Sequence, residues 1–130
     1  MGRPMRCSAK EEEETMPFTG SCHCGAIAYT VDENPPRQAM QCNCSICRRK
    51  APLHHFTTPE KFTLHTPRDA VATYEFNHHI IQHHFCPTCG VAPFAEGKGP
   101  NGPMVEINLR CADGVDLDAL QVQLYDGASR

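Results

Sequence analysis

Seven of the nine cysteines sit in three short spans: Cys22-His23-Cys24, Cys42-Asn43-Cys44-Ser45-Ile46-Cys47 and Cys86-Pro87-Thr88-Cys89. Two sulfurs on one tight turn fill two corners of a tetrahedral metal, so a partner knuckle must arrive from elsewhere in the chain. The fold is therefore required to bring distant segments together. Two spans of two sulfurs close one four-thiolate site. The span of three leaves a second site with one corner open, the pattern of a catalytic zinc.

Disulfides are the rival staple. The N-terminus carries no charged segment followed by an apolar run, so no secretory signal is expected, and no stretch approaches a membrane span. The expected address is cytoplasmic, where thiols stay reduced and closely spaced cysteines more often bind metal. An odd cysteine count also fits a closed disulfide set poorly. With 130 residues, 7% aromatics and no Trp, the core is small. A structural zinc, at about 10–16 kcal/mol in zinc-finger peptides, would exceed the ~5–15 kcal/mol net stability of a typical domain. The net charge of −3, with 15 acidic against 12 basic residues, argues against a nucleic-acid partner.

Residues 1–16 read as a disordered N-terminal extension carrying the Glu11–Glu14 run and Cys7, and residues 17–130 as the zinc domain. From Phe18 onward short strands alternate with turns. Strands are expected at Ile27–Val31, Phe62–Leu64, Val71–Phe76, Ile80–Phe85, Val105–Leu109 and Val122–Tyr125, with a loop over 97–103. Single helical turns are expected near Ser45–Lys50 and Asp116–Leu120. The 11 prolines and 9 glycines oppose long helices, and the class is mainly β.

Gly25 follows Cys24 and Gly90 follows Cys89, each permitting a turn that points backbone N–H groups at sulfur. The two knuckles so marked are expected to share a closed Cys22/Cys24/Cys86/Cys89 site. Cys42, Cys44 and Cys47 then form the open one, with Arg48 and Arg49 placed to offset its negative charge or to hold a substrate carboxylate. The alternative is a second structural site completed by Cys111 or by a histidine such as His54 or His55. His55 is the candidate for an acid/base or fourth-ligand role. The pairs His54-His55, His78-His79 and His83-His84 cannot present both rings to one metal from a strand. His23 is expected to point outward and Cys111 to be a small core residue. Asp113, Asp116 and Asp118 lack the spacing of a calcium loop.

The motifs Gly20-Ser21-Cys22-His23-Cys24-Gly25, Cys42-Asn43-Cys44-Ser45-Ile46-Cys47-Arg48-Arg49 and Phe85-Cys86-Pro87-Thr88-Cys89-Gly90 resemble the glutathione-dependent formaldehyde-activating enzyme family, which includes the centromere protein V domain. The resemblance spans about residues 17–126. It implies a mainly-β, Mss4-like fold of twisted sheets. It implies a structural zinc on Cys22, Cys24, Cys86 and Cys89 and a catalytic zinc on Cys42, Cys44 and Cys47. The activity it implies is that of a carbon–sulfur lyase joining a small aldehyde, formaldehyde, to a thiol such as glutathione. A non-enzymatic thiol carrier or zinc-stapled interaction module is the rival reading.

Overall fold

A computed structural model describes residues 15–75 and 81–129. The extension expected over 1–16 falls largely outside the described residues, as do Cys7 and the His78-His79 pair. Among the described residues, ten strands make up two sheets, joined by short turns that include one α-helical turn. The smaller is antiparallel, in the order β1 (Phe18–Ser21), β2 (Ala28–Val31), β5 (Phe62–Leu64). The larger has seven strands, in the order β10 (Gln121–Tyr125), β3 (Gln38–Cys42), β4 (His54–Thr57), β9 (Gly102–Asn108), β8 (Phe94–Gly99), β7 (Gln82–Phe85), β6 (Ala72–Tyr74). Its β10–β3 pair is parallel and its other pairs are antiparallel. Among the described residues, no helix is long and apolar enough to cross a membrane.

The core lies between the sheets. Tyr29 and Val31 of β2, with Ile27 just before it, face Phe94, Val105, Ile107 and Leu109 from the other layer, and all are buried. Phe62 joins the layers, with ring centroids 5.5 Å from Tyr29 and 4.9 Å from Phe94. Each such fully buried side chain contributes about 1.5–3 kcal/mol.

Alternating apolar residues made β2, β5 and β9 readable, and the single turn α1 (Cys47–Lys50) and a 3-10 turn at Leu117–Ala119 also lie where expected. The region 97–103 does not open into a loop. The β8–β9 ladder continues to Gly99↔Gly102, so the hairpin turn is only Pro100-Asn101. Beyond Glu96 and before Val105, neither β7 nor β4 pairs with this hairpin. It projects as a two-stranded ribbon, where proline and glycine disturb no third strand. Sequence patterning marked no strand at β3, β4 or β8. Gln38-Ala39-Met40-Gln41-Cys42 and His54-His55-Phe56-Thr57 carry too few apolar residues to show a period of two, and pairing with neighbours fixes them instead.

One polar network ties the β6 edge to β8. Arg68 donates twice to Glu96, at 2.7 and 3.0 Å, while His84 Nε2 lies 2.7 Å from the same carboxylate and His84 Nδ1 lies 2.9 Å from Thr73 Oγ1. The His84 hydrogen bond, then Arg68, pull the Glu96 carboxyl from 4.5 down to about 2. A carboxyl depressed in the folded state stabilises fully above its unfolded value, and that stability disappears as pH falls toward the folded value. Glu96→Gln is therefore expected to cost about 1–3 kcal/mol at pH 7 and to flatten stability between pH 4.5 and 2, read by urea melts across that range. Parallel pH profiles for variant and parent would contradict the assignment.

Candidate metal centres

The first centre is built from two knuckles of the same design. After β1, Cys22 N–H donates to Ile27 O (3.0 Å) and Gly25 N–H to Cys22 O (3.2 Å). After β7, Cys86 N–H donates to Val91 O (2.9 Å) and Gly90 N–H to Cys86 O (2.8 Å). Gly25 and Gly90 take φ of 85° and 81°, a region that side chains disfavour. The turns aim backbone donors at sulfur: Ile27 N–H at Cys22 Sγ (3.3 Å), and Thr88 and Cys89 N–H at Cys86 Sγ (3.3 and 3.4 Å). Such donors favour thiolate.

The sulfurs of Cys22, Cys24, Cys86 and Cys89 all lie within 4.8 Å of one another. Cys22–Cys24 and Cys24–Cys86 are separated by 3.8 and 3.6 Å. A tetrahedral zinc with Zn–S of ~2.3 Å requires sulfur separations of ~3.8 Å. A disulfide requires ~2.05 Å, and all eight cysteines among the described residues are free. The donor set and spacing fit zinc. Because one knuckle follows the small sheet and the other the large one, the centre clamps the two layers together.

The second centre lies where β3 runs into α1. Cys42 ends β3, Cys44 sits in the connecting turn and Cys47 opens α1, and their sulfurs also lie within 4.8 Å of one another. Cys44 N–H donates to Cys42 Sγ at 3.5 Å. Three soft thiolates within this span again suit zinc, and among the described residues no fourth group completes the set at that spacing. The segment after β10 covers one side. Asn43 N–H donates to Tyr125 O (3.3 Å), Asn43 Nδ2 to Asp126 Oδ1 (3.1 Å) and Ala128 N–H to Asn43 Oδ1 (2.9 Å). A Cβ at Gly127 would press on Cys42 Sγ, so this position accepts no larger residue without movement.

Two cavities meet at Cys47. The larger, about 470 Å³, is lined by Cys42, Asn43, Arg48, Leu124 and Tyr125. The smaller, about 300 Å³, is lined by Lys50, His54, His83, Phe94, Glu106 and Asn108. In the smaller one, His54 Nε2 lies 3.4 Å from Cys47 Sγ and His54 Nδ1 lies 3.6 Å from Glu106 Oε1. Burial lowers His54 and raises the Glu106 carboxyl, opposing charge on both. Burial, then the charges of Lys50, His54 and His84, bring His83 down to about 4. Partial desolvation also lowers the Lys50 ammonium.

The placements sort the expected residues. The seven cysteines gather in the two expected sets. Arg48 lines the larger cavity, while Arg49 donates to Ser45 O (2.7 Å) within its own turn. His55, expected near the open site, is not brought there. Adjacent strand residues face opposite sides, and His55 lies against Glu33 Oε1 (2.7 Å) and the Phe18 ring. Its neighbour His54 takes the side facing Cys47. Cys111 lies near Cys22 and Cys89, not the three-cysteine set, and burial pushes its thiol up to about 11. Glu106 was not singled out, and only knowledge of the β4–β9 register would have found it.

The sequence signature of the glutathione-dependent formaldehyde-activating enzyme family (GFA) matches residues 17–125. The chain belongs to that family. A Halomonas elongata protein named "Putative glutathione-dependent formaldehyde-activating enzyme" is 47% identical to this GFA chain over 36 residues, 28% of this chain and 23% of that protein. The match thus spans about a quarter of that relative's length. A crystal structure of a Rhodobacter sphaeroides protein superimposes with a TM-score of 0.68 at 24% identity, covering 81% of the GFA chain and 99% of the other, which speaks to the fold alone. This GFA protein is mainly β, with two sheets and two cysteine sets able to hold metal in the manner of a zinc-stapled Mss4-like fold.

Proposed function

We propose that this GFA protein is a zinc-dependent carbon–sulfur lyase-type enzyme of the cytoplasm, condensing formaldehyde or a similar small aldehyde with a thiol such as glutathione. The observation that carries the reading is the three-cysteine set, supplied by one short segment, whose Cys47 lines both cavities and whose Cys42 lines the larger. Zinc held by Cys42, Cys44 and Cys47 would supply a deprotonated thiol sulfur and a polarised carbonyl. The reaction forms one S–C bond, removes the thiol proton and adds a proton to the carbonyl oxygen, giving a hemithioacetal.

The chain's own residues divide the remaining work. At about 470 Å³ the larger cavity falls within the ~300–1,000 Å³ range of small-molecule sites. Arg48 there offers a planar fork for a carboxylate on the thiol substrate. The smaller cavity, lined by Val91 and Phe94, would take the aldehyde, and Lys50 at the end of α1 would give the carbonyl oxygen its proton. Four cysteines of the other set brace the sheets so that β3 and β4 present this arrangement.

The test is exchange NMR of formaldehyde and glutathione at low concentrations of fully zinc-loaded protein. Acceleration over the spontaneous reaction is expected. No acceleration would remove the formaldehyde–glutathione reading and leave the metal reading standing. The rival, a zinc-stapled interaction or thiol-carrier module, draws support from the exposed apolar edge of β10, where Leu124 is 82% and Val122 42% exposed. Two zincs per chain with neither exchangeable, together with no rate enhancement, would favour that rival.

A further inference from the structure

We infer that the aldehyde substrate carries a neutral, apolar tail of about three to six carbons, and that Ala95, on the floor of the smaller cavity, sets the size of that tail. The inference deepens the carbon–sulfur lyase reading of the three-cysteine set and rests on it.

Register is the first argument. Ala95 of β8 pairs with Glu106 of β9 on one side and with His83 of β7 on the other. Residues paired across a ladder share a face, and so do residues two apart on one strand. Asn108 therefore joins Glu106, and His54, its partner on β4, joins them both. This face is turned away from the small sheet, because Phe94 and Ile107, the chain neighbours of Ala95 and Glu106, belong to the core. Along the row a single methyl stands between two much longer side chains, so the floor dips at Ala95. Val91 and Ala92 from the second knuckle, with Ile46 and Pro52 flanking α1, add apolar walls.

Size is the second. The cavity of about 300 Å³ is on the order of ten times the ~30 Å³ share of one water in the liquid. Formaldehyde, with two heavy atoms, leaves most of it unfilled. A tail laid over Ala95 would fill it, at about fourfold in binding for each methylene buried. The third argument is polarity. Lys50 follows Cys47 by one helical turn, and His54 Nε2 lies 3.4 Å from Cys47 Sγ. Polar groups thus gather at the Cys47 end, which takes the carbonyl, and the tail points along the floor toward Ala95. Burial brings His83 down to about 4 and raises the Glu106 carboxyl, so desolvation opposes charge on both neighbours of Ala95. A neutral tail is accepted there, and a charged one would be left poorly solvated. The reaction stays balanced as written above: one S–C bond forms, the thiol loses its proton and the carbonyl oxygen gains one.

Rates with glutathione on the zinc-loaded full chain test this, comparing formaldehyde with isovaleraldehyde, which carries a branched apolar tail. Each kcat/KM is divided by the rate constant of the spontaneous reaction, which removes the difference in carbonyl reactivity. The normalised value is expected to be at least about 10-fold higher for isovaleraldehyde. Ala95→Leu should fill the dip and lower the ratio of the two values by about 10-fold or more, whereas general damage to the protein lowers both and leaves the ratio. Acceleration of formaldehyde without preference for isovaleraldehyde, or a preference that Ala95→Leu leaves unmoved, would overturn the inference and spare the lyase reading. Acceleration of neither aldehyde removes the lyase reading and the inference with it. Should Ala95→Leu fail to fold, Val91→Phe narrows the same cavity while keeping the backbone bond from Cys86 N–H to Val91 O, and an unmoved ratio there overturns the inference equally.

Discussion

Cys22→Ser is expected to abolish the cooperative thermal transition of the protein, and chelation of zinc from the parent should do the same. Cys22 is 3% exposed and lies between the layers, with Ile27 N–H directed at its sulfur. With zinc in the four-cysteine set, loss of one thiolate removes a share of ~10–16 kcal/mol of binding energy that is also folding energy. The whole domain holds only ~5–15 kcal/mol. Circular dichroism melts with and without added zinc provide the measurement. A variant melting within about 4–8 °C of the parent, equivalent to ~1 kcal/mol, would show that the set is not the staple.

The second large effect is catalytic. Cys44→Ser is expected to lower kcat/KM by more than ~100-fold, beyond the ~10–100-fold typical of a lost outer partner. Stability should change by less than ~2 kcal/mol, because Cys44 sits in a connecting turn and α1 buries none of its residues. Parallel melts and rate measurements on this variant and on Cys22→Ser separate the two centres. Equal unfolding in both would make the three-cysteine set a second staple and remove the proposed site of chemistry.

The ligands were legible because thiol spacing is a local code: two sulfurs on a turn declare themselves without knowledge of the fold. The partition into sets was also legible, because Gly25 and Gly90 mark backbone turns of one kind and Cys47 is followed by Arg48 instead. What surrounds the open centre was not legible. Choosing between His54 and His55 requires the phase of β4, and that strand has no apolar alternation to reveal it. The phase comes from pairing with Asn108 and Ile107, more than fifty residues away in the chain. Glu106 and Gly127 depend likewise on long-range pairing, of β9 with β4 and of β10 with β3. The ribbon over 97–103 was hidden for a different reason, since proline and glycine signal a break only where a third strand would need their hydrogen bonds.

The matched turns at Gly25 and Gly90 bear on how the molecule assembles. Each closes through hydrogen bonds spanning at most five residues, so each is a half-clasp whose own closure costs little chain entropy. The costly event is their meeting across the long intervening chain, and a cation captured by one half seeks the other. With zinc in the four-cysteine set, joining of the two layers would depend on the ion's supply as much as on the chain.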